Sequence, residues 1–498
     1  MQPPPDRTPK NIVLISLMWE INNLGSLNLS TLLRSLGHRA TDVFMSRGEP
    51  ESKDELAALN GLLTGLEPDL VGLSLMTFNF NRARAISGSI RDALPGVPIV
   101  WGGVHPTIAP EECLEHADAV VRGEGEGAIT DIVDALAGGG SLEGIPNVGV
   151  MIDGEPRPEP VRPPEEDLDR FPFPRFSLDS SYVRDEGHIE PLTVDLYRKN
   201  VVRAGVIYDV MMTRGCPFKC TYCCNWSFRK LYEGKGPVLR SRSVGSVMQE
   251  IDWAVGRFPF IRMINMQDDS FLSADEGVIR NFAEEFKGRG LQLICKALPN
   301  YITEGKLGML KDAGLEHIQI GLQGSDRTNR EVYRRNISSG QFLGAARLIR
   351  KFGLAGRYDV IVDNPFETDD DRLQLVRTLA GIPKPYWLNI FPLAYFPGTE
   401  IAEMAARDGI DVGESDGYHY FYGKPKRDFL NLLIQAEPRM STWLVEFFLR
   451  HRGRGWAFRL LSIYSERYDK ARLSAMKWVS QRPGLMKLVK RVYFFIRR

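Results

Sequence analysis

The sequence predicts an α/β protein in three parts. These are a doubly wound parallel sheet over residues 1–150, a partial barrel of six β/α units over 206–400, and a mostly helical region over 401–498. Three observations carry that expectation. Short apolar runs alternate with helical patterns through the first segment. The same alternation resumes after a proline-rich break at 151–205. Four of the six cysteines fall between Cys216 and Cys224, directly after a strand-like run. Strands alternating with helices imply parallel sheets with helices packed against them.

In the first part, Asn11–Leu17 reads as a buried strand, followed by a helix over Leu27–Leu36 that stops at Gly37. Thr41–Met45, Asp69–Leu75, Pro98–Trp101 and Ala117–Val121 complete five strands. Sheets of this kind bind ligands beyond the carboxyl ends of their strands, near the switch in strand order. Met18, Trp19 and Glu20 follow the first strand, Ser74 and Thr77 the third, Gly102-Gly103-Val104-His105 the fourth, and Arg122-Gly123-Glu124-Gly125-Glu126 the fifth. Adjacent glycines let a flat or bulky ligand lie against backbone, although ordinary turns use them too. His38 and His116 read as surface residues.

Residues 151–205 are rich in proline and charge and have too few apolar positions for a core, so they read as an extended linker. Within them, Phe171-Pro-Phe-Pro either packs the linker against the next domain or lines a site entrance. The barrel part holds strands at Val206–Met212, Arg262–Gln267, Leu291–Ala297, His317–Leu322, Tyr358–Val362 and Trp387–Phe391. Six units fit an open barrel better than a closed eight-fold one, which takes about 250 residues.

The cysteine loop carries the chemistry. Cys216-x3-Cys220-x2-Cys223 brings three thiolates close enough to hold one iron–sulfur cube. A complete [4Fe–4S] site normally takes four cysteines, so three leave one iron open. The competing reading is zinc, which takes four protein ligands in a structural site. Cys224 would have to be the fourth, yet adjacent cysteines diverge and no partner pair lies at zinc-finger spacing. Cys113 and Cys295 read as core thiols.

With Tyr222 as the aromatic before the last cysteine, this loop resembles the C-x3-C-x-Φ-C hallmark of the radical SAM superfamily. The GGVHPT and RGEGE turns, with their five strands, resemble the cobalamin-binding domain that precedes many radical SAM enzymes. The resemblance implies a Rossmann-like cobalamin domain, a radical SAM barrel, and three cofactors: a [4Fe–4S] cluster on Cys216, Cys220 and Cys223, S-adenosylmethionine (SAM), and cobalamin. It places Tyr222 on the adenine side, Asp268 and Asp269 near the SAM amine or ribose, and Gln323 and Ser325 near the ribose. Gln323 stands where glutamate is common, and Asp363 replaces a usual glycine. Phe396-Pro-Gly-Thr matches a closing element of cobalamin-linked members.

On the cobalamin side the implied contacts are Ser74, Thr77, Gly102, Gly103, His105, Gly123, Glu124 and Glu126. The first strand lacks the D-x-H-x-x-G motif that gives cobalt a histidine, which leaves Met18 or Trp19 to cover the lower face. His105 is then a turn or tail contact. The implied reaction is methylation of an unactivated carbon through a 5′-deoxyadenosyl radical and methylcobalamin. The alternative is a cobalamin-binding oxidoreductase or cyclase without methyl transfer. A reducing partner such as flavodoxin or ferredoxin is implied, with a small-molecule or lipid-like substrate.

Formal charge balances at zero, which gives nucleic-acid binding no support. No run of about 18 apolar residues suggests a membrane span, and the N-terminus lacks a signal-peptide core, so the expected location is cytoplasmic. After Leu449, however, fourteen Lys and Arg face only Glu466 and Asp469. The closing LMKLVKRVYFFIRR is basic and amphipathic, a composition suited to peripheral contact with the inner face of a membrane or to a solvated helix on the barrel.

Overall fold

A computed structural model of the chain describes residues 8–46, 50–201, 206–410 and 424–466. The closing amphipathic segment lies outside the described residues. Two compact units emerge, Met1–Asp268 with Tyr395–His419, and Asp269–Ala394 with Tyr420–Arg498.

The first unit opens with β1 (Asn11–Ser16), α1 (Leu24–Ser35), β2 (Arg39–Phe44), α2 (Lys53–Leu66), β3 (Leu70–Ser74) and α3 (Phe80–Ala93). It continues through β4 (Ile99–Gly102), α4 (Val104–Ile108), α5 (Pro110–Leu114), β5 (Ala119–Val121) and α6 (Gly125–Ala137). The five strands are parallel in the order β5-β4-β3-β1-β2, so strand order reverses at β1. Every residue of β1 is buried, because apolar layers cover both faces. Val13, Ile15 and Trp101 pack with α2 and α3 on one side. Ile12, Leu14 and Val100 pack with α1 and α6 on the other. His38 departs from the surface expectation: it is buried, and its Nδ1 accepts from the Lys10 N–H at 3.2 Å.

The expected linker is also different. It contains β6 (Val148–Ile152), β7 (Glu155–Pro158), β8 (Ser181–Asp185), β9 (His188–Pro191) and α7 (Val194–Asn200). These strands widen the sheet to nine, in the order β7-β6-β5-β4-β3-β1-β2-β8-β9. Asp153-Gly154 and Glu186-Gly187 both have positive φ, the geometry of a two-residue hairpin. Each hairpin closes one edge of the sheet. Pro156 and Pro158 fit because β7 is outermost, where a missing N–H leaves no ladder bond broken on the open side.

The first unit then holds β10 (Ile207–Val210), β11 (Thr213–Arg214), α8 (Cys224–Leu231), β12 (Arg240–Ser241), α9 (Val244–Arg257) and β13 (Met263–Met266). β10 and β13 are parallel, and β11 and β12 form a short antiparallel pair. The second unit continues the β/α alternation with α10 (Glu276–Phe286), β14 (Gln292–Ala297), α11 (Glu304–Ala313), β15 (Leu315–Gln323), α12 (Ser339–Lys351), β16 (Ala355–Val362), α13 (Asp369–Ala380) and β17 (Trp387–Pro392). Neighbouring strands from β14 to β17 are parallel. Six strands thus alternate with helices, as the pattern predicts. The chain returns to the first unit at α14 (Glu400–Arg407) and ends, among the described residues, with α15 (Phe429–Ala436), α16 (Thr442–Arg450) and helical residues 455–466 of the second unit.

Candidate cofactor site

A cavity of about 380 Å³ opens in the first unit at the carboxyl ends of β1, β3, β4 and β5. Leu14, Leu73, Val100 and Val121 give it an apolar floor. Its glycines are there for space. A Cβ on Gly72 would stand 2.7 Å from Leu14, and one on Gly103 (φ 107°) would stand 2.6 Å from the Leu75 carbonyl oxygen. On Gly123 (φ 78°) it would meet the Tyr232 hydroxyl at 2.1 Å. Ser74 lines the cavity, and its Oγ accepts from Asn23 Nδ2 at 3.0 Å. Ser26 lines it too, and the buried Ser26 Oγ has no hydrogen-bond partner among the described residues. An apolar, glycine-walled cleft with an orphaned hydroxyl fits part of a large amphipathic cofactor such as cobalamin.

Not every residue expected here reaches the wall. Gly102, Gly103, Gly123, Glu124 and Glu126 do. Met18 is half-buried and Trp19 is 53% exposed, and both follow β1 outside the cavity lining. Thr77 is buried in the turn after β3, also off the wall. His105 is fully buried, edge-on to Phe80 at 5.0 Å, with its Nε2 3.3 Å from Glu112. Burial pushes its pKa down to about 4, which favours the neutral imidazole at neutral pH.

The remaining wall comes from the flanks of the cysteine loop: Met211, Arg214 and Phe228. Arg214 pairs with Glu126 at 2.5 Å and Glu124 at 3.6 Å. Its partner across β11–β12, Arg240, grips both oxygens of Glu124, at 2.5 and 3.0 Å. The Glu124 N–H donates to the Tyr232 hydroxyl at 2.7 Å. Burial works to raise the Glu126 pKa, but Arg214, a backbone N–H and Arg240 together outweigh it and hold the carboxyl below its usual range. Glu124 and Glu126, expected as cofactor contacts, are thus ion-paired to the strands that launch the cysteine loop. Phe171–Pro174 line a smaller cavity of about 30 Å³ with Met211, Met212 and Arg242, so the aromatic–proline segment packs beside the same loop.

Gly215 begins that loop with φ 98°, and a Cβ there would fall 1.9 Å from the Val238 carbonyl oxygen. Cys220 is buried, whereas Cys216, Tyr222, Cys223 and Cys224 are half-buried. The Cys223 N–H donates to the Cys220 carbonyl at 3.1 Å, and Cys223 is the N-cap of α8. The N-terminus of α8 favours a thiolate at Cys223, and the sequence spacing of the three cysteines suits an iron–sulfur cube. Among the described residues no group of three such side chains is gathered as a site for a single metal ion. The loop is braced from behind. Thr221 O accepts from Ile401 N at 3.0 Å, and Ser227 Oγ donates to Gly398 O at 2.6 Å. Gly398 (φ 68°) could carry no Cβ without meeting the Ile108 carbonyl oxygen at 2.8 Å. The Phe396-Pro-Gly-Thr turn therefore acts as a strut.

Asp268 braces the loop from the other side. It is fully buried and accepts from Met212 N (3.3 Å), Thr213 N (2.5 Å) and Thr213 Oγ1 (2.5 Å). Its carboxylate thus clamps the backbone where the cysteine loop begins. In the second unit, Asp269 is exposed and Gln323 adopts φ 66° at the end of β15. Ser325, expected near the ribose, is fully buried. Its Oγ donates to Asp371 Oδ1 at 2.7 Å and accepts from Thr328 N at 3.0 Å, so it shapes the turn. Asp363 likewise holds Lys426 N (2.8 Å) and Asn431 Nδ2 (2.7 Å). Ser26, Arg214, Phe228, Tyr232 and Arg240 escaped sequence reasoning. The only sequence signal was the Arg-Gly turn before Cys216.

The B12 binding domain family matches residues 10–133, and the radical SAM superfamily matches residues 210–379. A protein of Pyrococcus horikoshii named an uncharacterized methyltransferase is 27% identical over 354 residues, covering 70% of this chain and 72% of that protein. The anaerobic magnesium-protoporphyrin IX monomethyl ester cyclase of Rubrivivax gelatinosus is 26% identical over 370 residues, and the match spans 72% of this chain and 62% of the cyclase. The solved structure of TsrM from Kitasatospora setae, a radical S-adenosylmethionine methyltransferase, superposes with a TM-score of 0.64 at 18% identity, covering 80% of this chain and 76% of that one. A B12-binding sheet followed by a radical SAM core defines a two-cofactor radical enzyme. This chain belongs to the cobalamin-dependent radical SAM enzymes. The two matches bring a cobalamin-binding family and an S-adenosylmethionine radical family together in one chain, and the TsrM structure holds both cobalamin and a [4Fe–4S] cluster.

Proposed function

We propose that this chain is a cobalamin-dependent radical SAM methyltransferase acting on an unactivated carbon of a small-molecule substrate. When bound, the cluster and S-adenosylmethionine supply an oxidising carbon-centred radical, and cobalamin supplies a methyl group. One observation carries the reading: the cavity at the B12-type strand ends is completed by Met211, Arg214 and Phe228 from the flanks of the cysteine loop. The glycine-walled cleft and the flanks of the cysteine loop then share one cavity wall. Cys216, Cys220 and Cys223 hold the cluster, with Tyr222 beside it. Gly102, Gly103 and Gly123 keep the wall bare, and Ser26 and Ser74 offer it hydroxyls. Met18 and Trp19, which follow β1, would cover a corrin face in this reading. Arg214 and Asp268 position the loop without touching substrate.

A one-electron donor of the flavodoxin or ferredoxin type fits the need to reduce the cluster. The cyclase relative keeps a second reading in view, in which cobalamin serves a radical ring closure without methyl transfer. The test is anaerobic reconstitution with iron, sulfide and cobalamin, followed by incubation with SAM labelled in its methyl group. Label appearing on the bound corrin supports methyl transfer. Corrin retention with release of 5′-deoxyadenosine but no label transfer would favour the cyclase.

A further inference from the structure

In the second unit, α16 buries Val445, Phe448 and Leu449 and turns Trp443 outward, 72% exposed. Residues 455–466 bury Ala457 and Leu461 and present Trp456, Leu460 and Ile463, each 41–49% exposed. Their spacing of four and three places them on one helical face. Ring contacts join the two faces: Trp443 stacks on Phe447 at 5.8 Å, and tilted contacts run from Phe447 to Trp456 at 5.9 Å and from His451 to Trp456 at 5.1 Å. Four of the nine exposed large hydrophobics among the described residues lie in this one patch. Exposed apolar side chains are ordinary singly, but gathered they mark a docking surface.

The rim says what docks. Arg450, Arg452, Arg454 and Arg459 are exposed, and no ion pair engages them among the described residues. In the whole stretch 442–466 the only carboxylates are half-buried Glu446 and exposed Glu466, the latter paired with Arg427 at 2.5 Å. The chain then runs on through 467–498 with ten Lys and Arg against a single Asp. A second copy would be a poor occupant, because a two-fold contact would set arginines against arginines. No described helix is long and apolar enough to cross a membrane, so surface contact is the geometry to consider.

We infer that the Trp443–Trp456–Leu460–Ile463 face docks on an anionic lipid surface. Tryptophan prefers the headgroup boundary, leucine and isoleucine reach the acyl edge about 5–10 Å down, and the arginine rim meets lipid phosphates. This goes beyond the radical chemistry and is read without it, so failure of either leaves the other standing.

The test is flotation of the reconstituted full chain with vesicles. Binding is expected to phosphatidylglycerol-containing vesicles and to be weak on pure phosphatidylcholine or at high salt. Leu460→Asp with Ile463→Asp should lower the bound fraction at least about tenfold, with iron and corrin content unchanged. Trp443→Ala, a milder change at a 72% exposed site, should weaken binding severalfold if the double variant fails to fold. A full-length variant with Lys487, Lys490 and Arg491 changed to Gln should lose less than the patch variant. No flotation of the parent chain overturns the inference. So does a folded patch variant that binds like the parent while the tail variant does not, or one that turns a dimer into a monomer with no vesicle binding in either form.

Discussion

The turns of the nine-stranded sheet and the turns around the barrel strands use their motif residues in opposite ways. After β4 and β5, glycines leave bare backbone around an open cavity, and a Cβ at Gly103 or Gly123 would collide with atoms 2.6 and 2.1 Å away. After β13 and β15, the polar residues Asp268 and Ser325 are fully buried and saturated by nearby backbone and side chains. The difference follows from desolvation. A buried carboxylate or hydroxyl must be hydrogen-bonded within the fold, and once it is, little remains for a ligand. Bare backbone carries no such demand. Motif position alone could not separate these cases, whereas burial with hydrogen-bond saturation does.

The largest effect is expected in the cysteine loop, where ligand and scaffold meet. Alanine at Cys216, Cys220 or Cys223 should reduce iron and sulfide in the reconstituted protein to background, while Cys224→Ala should retain them. A cluster surviving loss of Cys223, or vanishing with Cys224, would mean that the ligand set is wrong.

Next comes the link between glycine turn and loop. Arg214→Met leaves Glu126 buried, only 6% exposed on its side chain, without its cation. Breaking such a pair costs roughly 3 kcal/mol, the lower end because Arg214 keeps some solvent contact. The lowered midpoint should appear in urea denaturation, with weaker retention of cobalamin on gel filtration. In a double-mutant cycle with Glu126→Gln the losses should be far from additive. Additivity would show that the pair does not couple the two segments.

Gly103→Ala probes the bare wall directly. At φ 107° and 2.6 Å from the Leu75 carbonyl oxygen, an added methyl strains the turn by roughly 2–3 kcal/mol. Spectral titration should show weaker cobalamin binding while iron content stays near that of the parent. Equal loss of both cofactors would indicate a general folding defect and blur the contrast between wall and loop.

The first five strands were legible because buried parallel strands read as near-continuous apolar runs. The cysteine loop was legible because its chemistry is local. The edge hairpins were less so: Asp153-Gly154 is a strong turn signal, but the prolines around it were read as a linker when they were only at an edge. Asp268 and Ser325 sat at recognisable motif positions, yet their roles depend on which backbone N–H groups the fold brings to them. Arg240 and Tyr232 had no local signal at all, and Arg214 had only its place before Gly215. They meet the Gly123–Glu126 turn only through contacts about 90–120 positions away in sequence, and no window-based pattern spans that.

The smallest effect tests whether His105 belongs to scaffold or to ligand. In the folded chain its pKa lies near 4, against 6.5 as the ordinary value, because burial disfavours the imidazolium. Between those values the unfolded chain binds more protons than the folded one, so stability must fall as pH drops through that window and be flat above it. At 1.36 kcal/mol per unit, about 2 kcal/mol should be lost between pH 7.5 and 5. His105→Gln should remove that part of the pH dependence, seen as a difference between the two denaturation profiles. The nearby Glu112, 3.3 Å from Nε2, opposes the effect by favouring the imidazolium. Were it to dominate, the wild-type profile would be no steeper than the variant's, and His105 would have to be returned to the list of groups able to meet a charged part of the cofactor.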